Sequence, residues 1–185
     1  MTRIILASKS PRRKELMEML KIPFEVIVSD IDEQIDPSKD LIREIEKLSY
    51  QKAYAVYRQH TDALVIGSDT IVKIDDRVLG KPGSVEEARK MLESLSGRTH
   101  EVVTGVTILK DGNAETFSSV AFVSFYPLSE EEIDEYIRSN EPMDKAGAYA
   151  IQGDAARFIR SIEGDYYTIV GLPIAELYHR LKKYL

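Results

Sequence analysis

Two adjacent arginines, Arg12 and Arg13, follow Ser8-Lys9-Ser10-Pro11 directly after the apolar run Ile4-Ile5-Leu6-Ala7. Ser10 is a good N-cap and Pro11 a good first helical residue, so both arginines fall in the first turn of a helix. A cation there opposes the helix dipole at a cost of about 0.3–1 kcal/mol. A bound anion would reverse that sign, because exposed amides, the dipole and two guanidinium forks would all serve a phosphate. The other reading is two solvated arginines that the helix tolerates. Asp69 is the second signal. It stands between Leu64-Val65-Ile66 and Ile71-Val72, within or at the end of a central strand. A carboxylate in that setting is costly unless paired, hydrogen-bonded or bound to a metal. Gly67 just before it predicts a bulge or the close approach of another backbone. Asp69 then either satisfies loop amides or does chemistry.

Lys52 is the third signal. The apolar stripe Leu41, Ile45, Leu48 has residue 52 as its next inward position, and that residue is lysine. It either snorkels to the edge of the core or holds a phosphate as a point charge beside the Asp69 strand. Lys81, in Gly80-Lys81-Pro82, is a cation on a rigid turn close in sequence to that strand, and a solvated loop lysine is its plain reading. The acidic loop at 30–36 contains Glu33, which could lend a carboxylate to a divalent cation, although such runs are ordinarily solvated. Gln152 sits among small residues in Gly147-Ala148-Tyr149-Ala150-Ile151-Gln152-Gly153, where its amide could read a base edge by donating and accepting. His60, His100 and His179 show no metal spacing. There is no P-loop and no dinucleotide-binding glycine fingerprint. Four cations for an oligophosphate, with carboxylates for metal or water, suit phosphoryl chemistry on a nucleotide.

The elements that must position these groups alternate in type. Strands are predicted at 4–7, 24–28 and 63–72, the last interrupted at 67–70. A helix is predicted over 38–60, its apolar stripe continuing through Ala55 and Val56. Ser84 with Glu87 and Ser129 with Glu132 are capping boxes that open two further helices. Strands at 102–109 and 116–126 flank the hairpin signal Asp111-Gly112. Two more strands are predicted at 158–162 and 166–170, and Pro173 opens a C-terminal helix. Hairpins mixed with helices give an α/β fold with a mixed sheet. At 185 residues, this is one domain over 1–185, or two small lobes around a cleft.

Composition excludes several classes. With no cysteine there is no disulfide framework, thiolate metal site or thiol nucleophile. No apolar run approaches the roughly 18 residues that span a membrane, and no secretory leader pattern stands at the start, so the expected place is the cytoplasm. A net charge of -6 argues against broad nucleic-acid binding, so a polyanionic ligand must meet a local basic site.

Five segments together resemble one family. Ser8-Lys9-Ser10-Pro11-Arg12-Arg13-Lys14-Glu15-Leu16, Gly67-Ser68-Asp69-Thr70-Ile71-Val72, Gly80-Lys81-Pro82, Leu95-Ser96-Gly97-Arg98-Thr99-His100 and the stretch from Asp144 to Gly153 occur in the order found in the Maf family of nucleoside triphosphate pyrophosphatases. The nearest branch is the one acting on dTTP and UTP. The resemblance implies a two-lobed α/β fold similar to the inosine triphosphate pyrophosphatases, with a long mixed sheet flanked by helices and a central cleft. It implies hydrolysis between the α- and β-phosphates, a magnesium or manganese ion, a homodimer, and an association with inhibition of septum formation. By motif, Asp69 is implied as the catalytic carboxylate, either proton acceptor or metal ligand, with Glu33 as a second metal ligand. Arg12, Thr70 and Gln152 match positions linked to substrate choice, and Ser8, Arg13, Lys52 and Lys81 match phosphate-contacting positions. The rival expectations are a purine-directed pyrophosphatase of the same fold and a nucleotide-sensing division regulator without turnover.

Overall fold

The computed structural model describes residues 2–185. Seven strands form one sheet in the order β2-β1-β3-β5-β6-β7, with β4 paired to β3. They are β1 (Ile4–Ala7), β2 (Glu25–Val26), β3 (Leu64–Ile74), β4 (Arg77–Leu79), β5 (Thr99–Lys110), β6 (Asn113–Phe125) and β7 (Ile159–Glu163). β1 pairs in parallel with both β2 and β3, whereas β3–β4 and β6–β7 are antiparallel. The sheet is therefore mixed, as the interleaved hairpins and helices predict. Among the described residues six α-helices accompany it: α1 (Pro11–Met19), α2 (Leu41–Tyr57), α3 (Val85–Leu95), α4 (Glu130–Arg138), α5 (Tyr166–Val170) and α6 (Ile174–Leu181). No helix of the described residues is long and apolar enough to cross a membrane.

The chain divides into two compact units. The first holds the chain up to Asp69, with Thr104–Ser119 and Gly171–Leu185; the second holds Thr70–Val103 and Val120–Val170. The first unit has a core of Ile5, Ala7, Ala53, Val56, Tyr57, Ala63, Val65 and Leu109. The second packs Val72, Leu92, Leu95, Val123, Phe125, Tyr136 and Phe158 among its core residues. Each unit thus has its own apolar interior, the requirement for a compact body of this size.

Five expectations need correction, the first being the capping box at Ser84: its hydroxyl accepts the Glu87 N–H, but the Glu87 carboxylate accepts from the Gly83 N–H instead of the Ser84 N–H. β3 is not interrupted at 67–70 but runs unbroken from Leu64 to Ile74. α2 starts at Leu41 rather than 38, because Asp40 caps it by accepting the Arg43 N–H, while Ser38 is spent on a local turn with Asp36. Its buried face passes through Ala53, not Ala55. Residues 166–170 form a helix rather than a strand. Their β-branched content favours a strand, but the Asp165 carboxylate accepts from the Tyr167 and Thr168 amides and from the Thr168 hydroxyl, and so starts a helical turn.

Candidate active site

The first unit gathers most of the chemistry. α2 lies directly on the sheet at two glycines. A Cβ on Gly67 would stand 2.3 Å from the Ser49 carbonyl oxygen and 2.6 Å from the Ala53 nitrogen. A Cβ on Gly105 would stand 2.7 Å from the Ile45 oxygen. No side chain fits at either place, so helix backbone meets strand backbone. That contact carries Lys52, on the inward face of α2, down to β3. Its Nζ donates to Asp69 Oδ1 at 2.5 Å and lies 2.9 Å from Glu33 Oε1. Lys52 and Asp69 are 6% and 8% exposed, which makes the pair a buried one. Breaking such a pair costs about 3–5 kcal/mol, because the remaining charge is left uncompensated.

The turn from β1 into α1 is a compact knot. The Ser10 N–H donates to Ser8 Oγ at 3.1 Å, and the Arg13 N–H donates to Ser10 Oγ at 3.4 Å. Ser10 is the N-cap and Pro11 the first helical residue, as the sequence indicates. Arg13 also has a fastening duty. Its Nε donates to the Gly171 carbonyl at 2.8 Å and its Nη1 to the Ser68 carbonyl at 2.9 Å. Burial pushes this guanidinium below its ordinary range, and the nearby Asp69 charge opposes that shift. Arg12 is half-buried and, among the described residues, has no hydrogen-bond or ion-pair partner. An arginine in a helix's first turn with its fork uncommitted is placed to receive an anion.

The second unit holds Thr70, Lys81 and Gln152. Thr70 follows Asp69 on the same strand and is half-buried. Lys81 and Gln152 are exposed. The turn carrying Lys81 is tied to the 144–148 segment by the Gly147 N–H, which donates to the Gly80 carbonyl at 3.1 Å. Gly147 has φ of 69°, and a Cβ there would stand 2.9 Å from Val72. Both the backbone conformation and the space therefore require glycine.

The structure brings Glu33, Lys52 and Asp69 into one cluster and puts Ser8, Arg12 and Arg13 at one helix start. Sequence reasoning missed Ser68, which is fully buried and whose hydroxyl donates to the same Gly171 carbonyl. It also missed Gly105, the second seat of α2; a lone glycine in an otherwise apolar strand was the available signal. The buried pair His100 and Tyr149 escaped as well, with Nε2 and the hydroxyl 2.7 Å apart.

Asp69 and Glu33 converge on the Lys52 ammonium, which compensates their charge in this arrangement. Hard oxygen donors of this kind suit magnesium or manganese, which keep water and phosphate oxygens beside one or two carboxylates. Among the described residues no three acidic, histidine or cysteine side chains converge, so the chain would offer such an ion Asp69 and Glu33 alone.

The family profile described as "Maf-like protein" matches residues 3–184. A protein named dTTP/UTP pyrophosphatase in Bacillus cereus (strain G9842) is 50% identical over 184 residues, covering 100% of this chain and 96% of the relative. A protein of the same name in Bacillus cytotoxicus is also 50% identical over the same coverage. Among solved structures, the Staphylococcus aureus Ham1 protein superposes with a TM-score of 0.55 at 14% identity, covering 100% of both chains. At that identity the likeness concerns the fold alone.

Proposed function

The chain belongs to the Maf family, and on that premise we propose that it is a nucleoside triphosphate pyrophosphatase that hydrolyses dTTP and UTP to the monophosphate and pyrophosphate. The buried pair of Lys52 with Asp69, a residue of the family motif at 67–72, with the exposed Glu33 reaching the same ammonium, is the observation that carries the chemistry. The pyrimidine substrates are supported by the full-length relatives of that name.

In this reading water attacks the α-phosphorus and gives its proton to an Asp69 carboxylate oxygen. The bond from the α-phosphorus to the oxygen bridging toward the β-phosphorus breaks, and pyrophosphate leaves with that electron pair. Lys52 fixes the position of the Asp69 carboxylate, so little reorganisation is needed as charge develops. Arg12, the α1 amides and Ser8 face the phosphate charge, and Arg13 adds its field while fastening Ser68 and Gly171. Lys81 supplies a further cation for the phosphates. Arg12, Thr70 and Gln152 set substrate choice, with the Gln152 amide offering one donor group and one acceptor to the base edge. A divalent ion held by Asp69 and Glu33 would neutralise triphosphate charge when bound. Action as a homodimer belongs to the same proposal and is checked by sedimentation.

The test is pyrophosphate release from dTTP, UTP, CTP, GTP and ITP, with magnesium, manganese or a chelator. Metal-dependent release from dTTP and UTP is the expected result. Release from ITP alone would overturn the substrate, and triphosphate binding without release would overturn the enzyme reading in favour of a nucleotide sensor.

A further inference from the structure

Gln152 stands in irregular chain between the 3-10 turns Ala146–Ala148 and Asp154–Phe158. Two side chains reach the flanks of this segment. The Tyr136 hydroxyl oxygen, from α4, accepts the Ala150 N–H at 3.3 Å. Glu141 Oε1, from the 3-10 turn Glu141–Asp144, accepts the Asp154 N–H at 3.3 Å. Ala150 and Asp154 lie two residues before and two residues after Gln152, so the two bonds bracket it symmetrically.

Gly153 completes the arrangement. A Cβ at that residue would stand 1.7 Å from Glu141 Oε1 and 2.3 Å from its Cδ. The φ of Gly153 is -111°, which any residue adopts, so a side chain here would first meet the Glu141 carboxylate and would have to push it aside. The Glu141 carboxylate occupies the volume that a side chain on the loop would fill. Its own backbone N–H is tied to Ser139 Oγ at 3.2 Å. Its Oε2 is buried with no hydrogen-bond partner, a costly placement for a carboxylate oxygen. Burial holds the proton on the Tyr136 phenol, and the same carboxylate, which the hydroxyl faces, helps hold it there and couples the two side chains to each other.

We propose that Glu141 is a positioning residue for substrate choice: with Tyr136 it pins both flanks of the Gln152 segment, and Gly153 is the gap that admits its carboxylate. The inference rests on the reading of Gln152 as a base-recognising residue. It goes beyond that reading by assigning the orientation of the amide to a side chain that need not touch substrate.

The experiment compares kcat and KM for dTTP and CTP, with thermal melts, in Gly153→Ala, Glu141→Ala, Glu141→Gln, Gln152→Ala and the double variant Gly153→Ala/Glu141→Ala. Gly153→Ala is expected to raise the KM for dTTP about tenfold and to lower dTTP-over-CTP preference, with kcat nearly unchanged. Glu141→Gln keeps the accepting oxygen and the shape, and retains wild-type preference. The double variant is expected to show the same lowered preference as Gly153→Ala and no further loss, because both changes remove the one bond from Asp154 to the carboxylate. Preference unchanged in Gly153→Ala and Glu141→Ala while Gln152→Ala lowers it would overturn the positioning role and leave the Gln152 reading standing. Preference unchanged in Gln152→Ala would overturn that reading and this inference with it. A double variant worse than either single one, or melting losses with kcat and KM moved together, would reduce Glu141 to a structural residue and overturn the proposal.

Discussion

The two units bury polar groups in opposite ways. In the first, charge is buried and matched: Lys52 pairs with Asp69 in the interior, carried by a long helix seated on a strand, while the exposed Glu33 reaches the same ammonium. In the second, the buried polar pair is His100 with Tyr149, and the residues implied in substrate handling, Lys81 and Gln152, are exposed on turns. Burial pushes His100 down to about 4, so it is neutral at ordinary pH, and it packs edge-on against Phe125 and Tyr149. The lesson is a division of labour. The matched pair of Lys52 and Asp69 sits on regular elements without room to move, whereas Lys81 and Gln152 sit on irregular chain fixed by a few backbone bonds.

The strongest way to break this comparison is to neutralise the matched charge. Asp69→Asn keeps the shape and is expected to lower pyrophosphate release from dTTP by about a thousandfold, with the fold retained by circular dichroism. Near-full turnover in that variant would end its role as the water-activating carboxylate. Next comes the seat of the helix. Gly67→Ala drives a methyl into the α2 backbone, and is expected to cost about 1–3 kcal/mol or more and to reduce turnover about a hundredfold, as read by denaturant melts and initial rates. Gly105→Ala sharpens the point. It strains the same helix at Ile45, two turns from Lys52, so a similar loss of stability should come with a smaller loss of rate. On the other unit, Lys81→Ala is expected to raise the KM for dTTP about tenfold while leaving the melting midpoint within about 0.5 kcal/mol of wild type, since the residue is exposed. The smallest effect on activity should come from His100→Asn. Unfolded histidine binds its proton near pH 6.5, and folded His100 binds it near 4. The unfolded chain therefore holds more protons between those values, and stability falls as pH drops through that window. The loss amounts to about 3 kcal/mol at most. Melts from pH 7 to 4 should show this slope in wild type and lose it in the variant.

Much of this arrangement was legible in the chain. The inward place of Lys52 followed from the spacing of Ile45 and Leu48, and the close approach at Gly67 from a small residue inside an apolar strand. Ser10 and Pro11 announced the start of α1 through cap chemistry alone. What stayed hidden depends on distant partners. Glu33 lies in an acidic run that reads as solvated, and only folding carries it to Lys52. The second duty of Arg13 needs Gly171, 158 residues away. The strand expected at 166–170 failed because one side chain, Asp165, outweighed five residues of propensity. The anchors Tyr136 and Glu141 were invisible because neither residue type signals an interest in a loop some ten residues downstream.

The border between the units falls between Asp69 and Thr70, inside a single continuous strand. β5 and β6 likewise contribute to both units. The first unit is assembled from three separate stretches of chain, so no cut yields it as a contiguous fragment. For the history of such a protein this means that neither unit can be traded as a cassette. Change in either has to arrive by single replacements, each tested in a molecule whose other unit is covalently woven into the same strands.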